Sequence, residues 1–209
     1  MTFEPTALPL ETLFTDPSMF DSRKAWRRAG FDVFDPSKDT EVMVAAHPSA
    51  PGYLFKKYTD DVSTTEQRNN YAARIEGAGR LRRFIEREQL ANIVVPHKYL
   101  HELPKEIFGK KSLLLVVERL NLVGRDASED RYKNITEPVL RELLRVIVKF
   151  RGLDSNSKNI QFTEGGKIAF IDLENWDQAD RKATWLKSIG TYLSKDRRTL
   201  ATKILAELK

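Results

Sequence analysis

The stretch RGLDSNSKN (151–159), followed by IQFTEGGKIAFIDLEN (160–175), decides the expected fold, because a polar loop runs directly into a hairpin pattern. Two alternating polar and apolar runs joined by a Glu-Gly-Gly turn are typical of a β-hairpin. Asp154 and Asn159 lie on the loop, and Asp172 follows the apolar run IAFI at the end of the second strand. The pattern therefore predicts three oxygen-bearing side chains that converge at loop and strand ends.

The segments around this stretch predict a mainly helical second half. TEPVLRELLRVIVKF (136–150) is strongly apolar, with Thr136 as N-cap, and predicts a helix that is buried on much of its surface. Residues 121–133 are polar and contain glycine, so we expect a linker there. Two tail helices are expected around 179–194 and 196–208.

The first half predicts strands and one long helix. Apolar residues recur at spacings of three and four from 64 to 90, which indicates a helix with Ser63 as its cap. The first ~30 residues contain a short helix candidate, DSRKAWRRAGF, that Gly30 would end, and we interpret this part as an N-terminal cap. Strands are predicted at EVMVAAH (41–47), GYLFKKY (52–58), IVVPHKYLHEL (93–103) and SLLLVVERL (112–120), the last apolar enough to be central in a sheet.

The order of these elements indicates an α+β fold with two lobes. The expected parts are an N-terminal cap (1–35), a β-rich N-lobe with one long helix (36–120) and a reduced, mainly helical C-lobe (121–209). The C-lobe would contain the polar loop and the hairpin.

Composition excludes several classes of protein. The 209 residues are 41% hydrophobic and 31% charged, as expected for a soluble globular protein. No cysteine is present, so disulfides and thiolate chemistry are excluded, and a metal would need oxygen or imidazole ligands. No run is apolar and long enough for a membrane span, and we expect a cytoplasmic protein, with delivery into another cell as an effector left open.

Asp154, Asn159 and Asp172 match the needs of phosphoryl transfer. That reaction requires an acceptor for the proton of the substrate hydroxyl, oxygen ligands for magnesium and a cation on the nucleotide phosphates. DSNSKN resembles the catalytic loop of protein kinases, in which an Asp is followed five positions later by an Asn. IDLEN resembles the DFG element, with Leu173 and Glu174 in place of Phe and Gly. The resemblance implies that Asp154 orients or deprotonates the acceptor hydroxyl and that Asn159 and Asp172 hold Mg²⁺.

The first half carries the rest of this resemblance. YLFKKY resembles the β3 motif VAIK, and strand alternation favours Lys56 for the ATP phosphates, with Lys57 as the alternative. The resemblance implies that Lys56 pairs with a glutamate of the long helix, which we expect to be Glu76, with Glu66 as the alternative. LLLVVERLNL resembles the strand that leads to the kinase hinge, so Val117 would be the gatekeeper and the backbone from Glu118 to Leu120 would meet the adenine.

The sequence also departs from the kinase pattern. FDPSKDTEV (34–42) contains no glycine where a Gly-rich loop is expected, and Arg151-Gly152-Leu153 replaces the His-Arg before the catalytic Asp. After Asp172 only 209 − 172 = 37 residues remain, without an APE motif. The comparison is therefore with compact atypical kinases, such as those that some bacteria use as effectors.

Three classes of function follow. The first is ATP- and Mg²⁺-dependent transfer to a Ser, Thr or Tyr hydroxyl of a protein substrate. The second is an inactive pseudokinase that binds nucleotide or protein, and related folds also transfer AMP. The third, nucleic-acid binding, would use the formal charge of +5, but the basic residues form no stripe and no stacking motif is present.

Each candidate residue also has an ordinary structural interpretation. Asp154 could form a turn, Asp172 could cap the following segment and Lys56 could lie on an exposed strand face. Glu76 could form a surface pair with Arg80 at i+4. The kinase interpretation rests on the order in which all these features occur along the chain.

Overall fold

The computed structural model describes residues 10–34, 42–58, 62–173 and 188–208, and the statements below concern these residues. The chain divides into two compact units, Met1–Ile75 with His97–Arg119 and Glu76–Pro96 with Leu120–Lys209. The long helix contributes to both units, because the boundary falls between Ile75 and Glu76. The division into 1–35, 36–120 and 121–209 that follows from chain order stays a prediction.

The described residues form an α+β fold. The helices are α1 (Leu10–Leu13), α2 (Arg23–Arg28), α3 (Thr64–Glu88), α4 (Lys105–Phe108), α5 (Arg125–Lys133), α6 (Glu137–Lys149), α7 (Ile189–Tyr192) and α8 (Lys195–Glu207), with short 3-10 turns at Pro17–Phe20 and Gly109–Lys111. The strands are β1 (Asp32–Phe34), β2 (Val42–Ala46), β3 (Tyr53–Tyr58), β4 (Ile93–Val94), β5 (Lys98–Glu102), β6 (Leu113–Glu118), β7 (Ile160–Phe162) and β8 (Ile168–Phe170).

The first unit contains a five-stranded antiparallel sheet in the order β1-β2-β3-β6-β5. Strand β6 lies between β3 and β5, and all its residues from Leu113 to Val117 are buried, which confirms the predicted central strand. The register of β3 and β6 places Lys56 opposite Leu115 and Leu54 opposite Val117. The sheet therefore fixes the position of the lysine that the sequence favours.

Alternate residues of β6 enter two different apolar clusters. Leu114 and Val116 pack with an aromatic cluster from the N-terminal elements, in which Phe14 and Phe55 lie edge to face with ring centroids 5.2 Å apart. Leu115 and Val117 pack on the other face with Tyr58 and with Tyr71 of α3. The period of two is what a strand buried on both faces requires.

The second unit is organised around α6 and a three-stranded sheet in the order β4-β8-β7. The hairpin β7–β8 is antiparallel as predicted, and Gly166 adopts φ +82° in its turn, where a side chain would be strained. Strand β4 pairs with β8 in parallel, with Ile93 opposite Ile168. Helix α6 buries Leu140, Leu143, Leu144, Val146 and Ile147, which confirms its predicted burial.

The single strand predicted at 93–103 is wrong. Residues Ile93–Val94 form β4 of one sheet, whereas Lys98–Glu102 form β5 of the other sheet. Pro96 lies between them, and proline has no N–H for a strand ladder. The sequence run is therefore two short strands that belong to different units.

The linker predicted at 121–133 is also wrong, because Arg125–Lys133 form α5. This helix buries only Ser128 and Tyr132, so its sequence lacks the apolar stripe that would have indicated a helix. Strand β1 was not predicted, because its three residues lie close to the end of the N-terminal cap pattern.

Other predicted elements agree with the structure over the described residues. Gly30 follows α2 with φ +87°, and the Ser63 hydroxyl accepts a hydrogen bond from the Glu66 N–H (3.2 Å) at the start of α3. Parts of the predictions, including Glu41, Glu174 and the first tail helix up to residue 187, lie outside the described residues. None of the described helices is long and apolar enough to cross a membrane.

Candidate active site

The loop between α6 and β7 places Asp154 and Asn159 side by side. Asp154 Oδ1 accepts a hydrogen bond from the Asn156 N–H (3.2 Å), as in an Asx turn. Its other oxygen, Oδ2, accepts a hydrogen bond from Asn159 Nδ2 (3.0 Å). Asp154 is exposed and Asn159 is half-buried. The turn that ordinary sequence reasoning predicts is therefore present, and the same turn brings the two predicted residues into contact.

The hairpin brings Asp172 to the same place. Asn159 immediately precedes β7, and its carbonyl accepts a hydrogen bond from the Ile171 N–H (2.8 Å) just after β8. Asp172, the next residue, is half-buried and makes electrostatic or hydrogen-bond contacts of its own. Two hydrogen bonds thus connect Asp154 to Asn159 and Asn159 to the residue next to Asp172. The structure therefore brings together all three residues that the sequence predicted for this end of the hairpin.

Two buried serines connect the loop to neighbouring segments through their hydroxyl groups. Ser155 and Ser157 are 3% and 2% exposed. The Ser155 hydroxyl lies 2.8 Å from the Ser188 hydroxyl, and the Ser157 hydroxyl donates to Glu129 Oε1 (2.8 Å). Side chains that alternate with Asp154 along the loop are thereby directed inward.

Glu129 of α5 is the residue that sequence reasoning missed. Its carboxylate accepts hydrogen bonds from Arg125 Nε (2.7 Å) and from the Ser157 hydroxyl, and it also interacts with Tyr192 of α7. The Arg125 guanidinium, more than any other group, holds the pKa of Glu129 below its usual range. The i,i+4 spacing of Arg125 and Glu129 was a detectable helix signal, but nothing in the sequence connects Glu129 to Ser157.

Lys56 and Lys57 of β3 have different surroundings. Lys57 is fully buried, and its ammonium donates to Gln67 Oε1 (3.1 Å) and lies 5.8 Å from the centroid of the Phe20 ring. Gln67 Nε2 in turn donates to the Val62 carbonyl (2.8 Å), so Gln67 is held in place. These contacts hold the Lys57 side chain in the interior of the first unit. Lys56, 9% exposed, is also buried and has a polar contact of its own.

Helix α3 meets β3 through side chains other than the predicted glutamates. The Tyr71 hydroxyl donates to the Lys56 carbonyl (3.2 Å) and accepts from the Tyr58 N–H (3.1 Å). Glu76 accepts hydrogen bonds from Arg80 Nε and Nη2 (3.0 and 2.8 Å), and its side chain is 53% exposed. The surface pair expected from i,i+4 spacing is therefore present. The pairing of Lys56 with Glu76, or with Glu66 at the exposed start of α3, stays a prediction.

The predicted adenine-binding segment follows β6. Val117 is 2% exposed and lies opposite Leu54 in the sheet. The Glu118 N–H donates to the His97 carbonyl (2.8 Å), and Glu118 Oε2 accepts from the His97 N–H (2.9 Å). The Glu118 N–H is therefore already used, and the roles of Val117, Glu118 and Leu120 in nucleotide binding stay predictions.

The donor set of the loop and hairpin fits magnesium bound together with phosphate. Mg²⁺ is usually held by one or two carboxylates, with waters and substrate phosphates completing its octahedron. Asp172 and Asn159 offer one carboxylate and one amide oxygen, and Asp154 lies beside them. Among the described residues no group of three His, Asp or Glu side chains is placed to hold a metal ion.

Comparisons with known proteins find similarity among solved structures alone. No family model matches the chain, and no curated protein matches it. The crystal structure of WbdD is a solved structure with a partly similar backbone, at 12% sequence identity and a TM-score of 0.41. The likeness covers 69% of this chain and 32% of the WbdD chain, so it extends over about a third of WbdD.

Proposed function

We propose that this chain is a compact atypical protein kinase, which transfers a phosphoryl group from ATP to a Ser, Thr or Tyr hydroxyl of a protein substrate. The observation that carries the proposal is the contact of Asp154 with Asn159 and of Asn159 with the residue before Asp172. The spacing of five residues and the hairpin that ends in Asp are those of the kinase catalytic loop and DFG element. The ordinary turn interpretation explains Asp154 but does not explain why the hairpin delivers Asp172 to the same place.

The proposed roles follow from the position of each residue. Asp154 is exposed and would accept the proton of the substrate hydroxyl. Asn159 and Asp172 would hold Mg²⁺, which neutralises charge on the nucleotide phosphates when it is bound. Lys56 would contact the phosphates, because Lys57 is committed to Gln67.

The order of elements in the first unit also supports the proposal. Protein kinases carry the phosphate-binding lysine on the third strand and a glutamate on the helix that follows it. Here Lys56 lies on the third strand, β3, and α3 follows directly. The strand that corresponds to the kinase hinge, β6, is the direct neighbour of β3.

A catalytically inactive pseudokinase is the second candidate function, and one observation favours it. Glu76 is engaged by Arg80 on the helix surface, whereas active kinases require the ion pair between the strand lysine and the helix glutamate. The absence of glycine from 34–42 and the Leu173 that follows Asp172 point in the same direction. Such a protein would bind nucleotide or a protein partner without transfer.

ATP turnover by Asp154→Asn tests the proposal. We expect the wild-type protein with Mg²⁺ and ATP to release ADP or to phosphorylate itself. The rate of Asp154→Asn should be lower by a factor of at least about 100, since general base catalysis accelerates a reaction by a factor of roughly 10²–10⁴. Asp130→Asn is the matched control, because Asp130 is an exposed aspartate that forms an ion pair with Lys133 on α5. ADP release at the wild-type rate by Asp154→Asn would contradict the assignment.

Intact mass of the product separates the neighbouring possibilities. Addition of a phosphoryl group supports the kinase, addition of AMP supports nucleotidyl transfer, and ATP binding without any product supports the pseudokinase.

A further inference from the structure

A cavity of about 350 Å³ opens on the second unit at the carboxyl end of α6. It includes Arg151, the first residue of the loop described above, but Asp154, Asn159 and Asp172 do not line it. Its walls combine two kinds of side chain. Three apolar residues (Phe84, Val148, Leu208) and three cationic residues (Arg145, Lys149, Arg151) line it.

The cations of this cavity are not all neutralised by the protein. Arg145 is paired with Glu88 of α3. Lys149 and Arg151 are exposed, and over the ranges that the structure describes neither forms a side-chain hydrogen bond or ion pair. Among the described residues that line the cavity there is no aspartate or glutamate. These residues therefore present two positive charges to the cavity and no carboxylate that pairs with them.

Helix stability accounts for only part of this arrangement. A cation in the last turn of a helix is stabilised by the helix dipole, which explains Lys149. Arg151 lies two residues beyond the end of α6 and is exposed. An anion bound between the two side chains would be attracted by both charges.

The charge and the size of the cavity indicate the chemistry of its ligand. A phosphate monoester carries a charge of about −1.5 to −2 at pH 7, which matches two unbalanced cations, whereas a single carboxylate matches one. An arginine fork and a lysine together are a common phosphate-binding pair. The volume lies near the lower end of the roughly 300–1,000 Å³ typical of small-molecule pockets.

We propose that this cavity binds a small organic phosphate monoester, with the phosphate between Lys149 and Arg151 and an apolar body against Phe84, Val148 and Leu208. The proposal is independent of the kinase function, because the cavity contains none of the residues assigned to ATP or Mg²⁺.

Calorimetric titration of the full chain with phenyl phosphate in magnesium-free buffer tests the proposal. We expect saturable binding that is at least about tenfold tighter than the binding of inorganic phosphate, because only the aryl ester covers the apolar wall. Lys149→Gln and Arg151→Gln should each weaken it about tenfold or more, as expected for loss of a charge-assisted hydrogen bond. Both side chains are exposed, so neither substitution should disturb folding.

Two further variants serve as controls. Lys195→Gln removes the same charge from α8, roughly 20 Å along the helix from Leu208, and should leave the affinity unchanged. Val148→Thr keeps the side-chain shape and makes the wall polar, so it should weaken the binding of phenyl phosphate but not of inorganic phosphate. Absence of saturation at millimolar concentration, equal losses in Lys195→Gln and Arg151→Gln, or equal affinities for the two phosphates would overturn the proposal.

Discussion

At the scale of single residues, the two adjacent lysines of β3 show how burial separates similar side chains. Lys57 donates to Gln67 inside the first unit, and removal of that donor would leave a buried amide oxygen without its partner. Such a loss costs about 1–3 kcal/mol. Lys56 faces the cluster of Leu115 and Val117 on the other side of the strand and is the proposed phosphate contact.

We therefore expect Lys56→Met and Lys57→Met to differ in their effect on ATP binding. Lys56→Met should weaken ATP binding roughly 10- to 150-fold, the range of a hydrogen bond between charged groups of about 1.5–3 kcal/mol. Lys57→Met should lower the free energy of unfolding and leave the ATP affinity of the folded protein unchanged. Urea denaturation and ATP titration of both variants measure the two effects, and the reverse pattern would move the phosphate contact to Lys57.

The proximity of residues was predictable where spacing along one stretch carries the information, whereas their roles stay predictions. Asp154 and Asn159 are five residues apart on one loop, and Asp172 follows a hairpin whose turn is visible in the sequence. Their meeting was predictable because all three belong to one continuous stretch. Glu129 was not predictable, since its contact with Ser157 joins residues 28 positions apart.

At the scale of elements, α5 supports the loop 151–159 that precedes the hairpin. It packs against β7 through Ser128, whose hydroxyl accepts from the Phe162 N–H (2.9 Å), and through Tyr132, whose hydroxyl donates to the Ile160 carbonyl (3.0 Å). Glu129, between them, holds Ser157 of the loop. The helix thus fixes both the start of the hairpin and the loop before it.

Substitution of Glu129 should loosen this loop. Glu129→Ala leaves the buried Ser157 hydroxyl without its acceptor and should destabilise the protein by about 1–3 kcal/mol. It should also accelerate hydrogen exchange of the Asn159 and Ile171 amides, whereas amides in the middle of α6 keep their exchange rates. Glu129→Gln retains an acceptor oxygen and should remain closer to wild type.

The same carboxylate predicts a dependence on pH. The pKa of Glu129 is lowered in the folded protein, chiefly by Arg125, so its ionised form stabilises the fold above its unfolded pKa of about 4.3. That contribution is lost as pH falls through the lower folded pKa. The stability difference between wild type and Glu129→Gln should therefore shrink in acid, and a difference that grows below pH 4 would contradict the role of the ionised carboxylate.

Elements with a regular apolar pattern were predictable, and those held by polar or distant contacts were not. Helices α3 and α6 and strands β2, β3 and β6 follow from periodicity. Helix α5 has almost no apolar residues, and its position depends on the hydroxyls of Ser128 and Tyr132. The pairing of β4 with β8 joins Ile93 to Ile168, and no local pattern specifies such a distant partner.

At the scale of the whole molecule, the α+β class followed from the order of the elements. The two units did not, because each is assembled from two separate chain segments and α3 contributes to both. The boundary at Pro96 has a local chemical cause, because proline lacks the N–H that a strand ladder needs. The boundary inside α3 is marked by no feature of the sequence. Segments that cross between units are visible only once the strand pairing is known.

The central claim is that Asp172 belongs to a nucleotide site that depends on magnesium, and thermal unfolding with ATP tests it most directly. A ligand that binds only the folded protein stabilises it by about 2.7 kcal/mol at 100 times its Kd. For a chain of this length that corresponds to a rise in Tm of roughly 5–10 °C.

Asp130→Ala serves as the control for loss of an exposed aspartate. We predict that ATP raises the Tm of wild type and of Asp130→Ala only when Mg²⁺ is present, and that Asp172→Ala shows no such rise. An equal rise in Asp172→Ala, or none in wild type at millimolar ATP, would contradict the account.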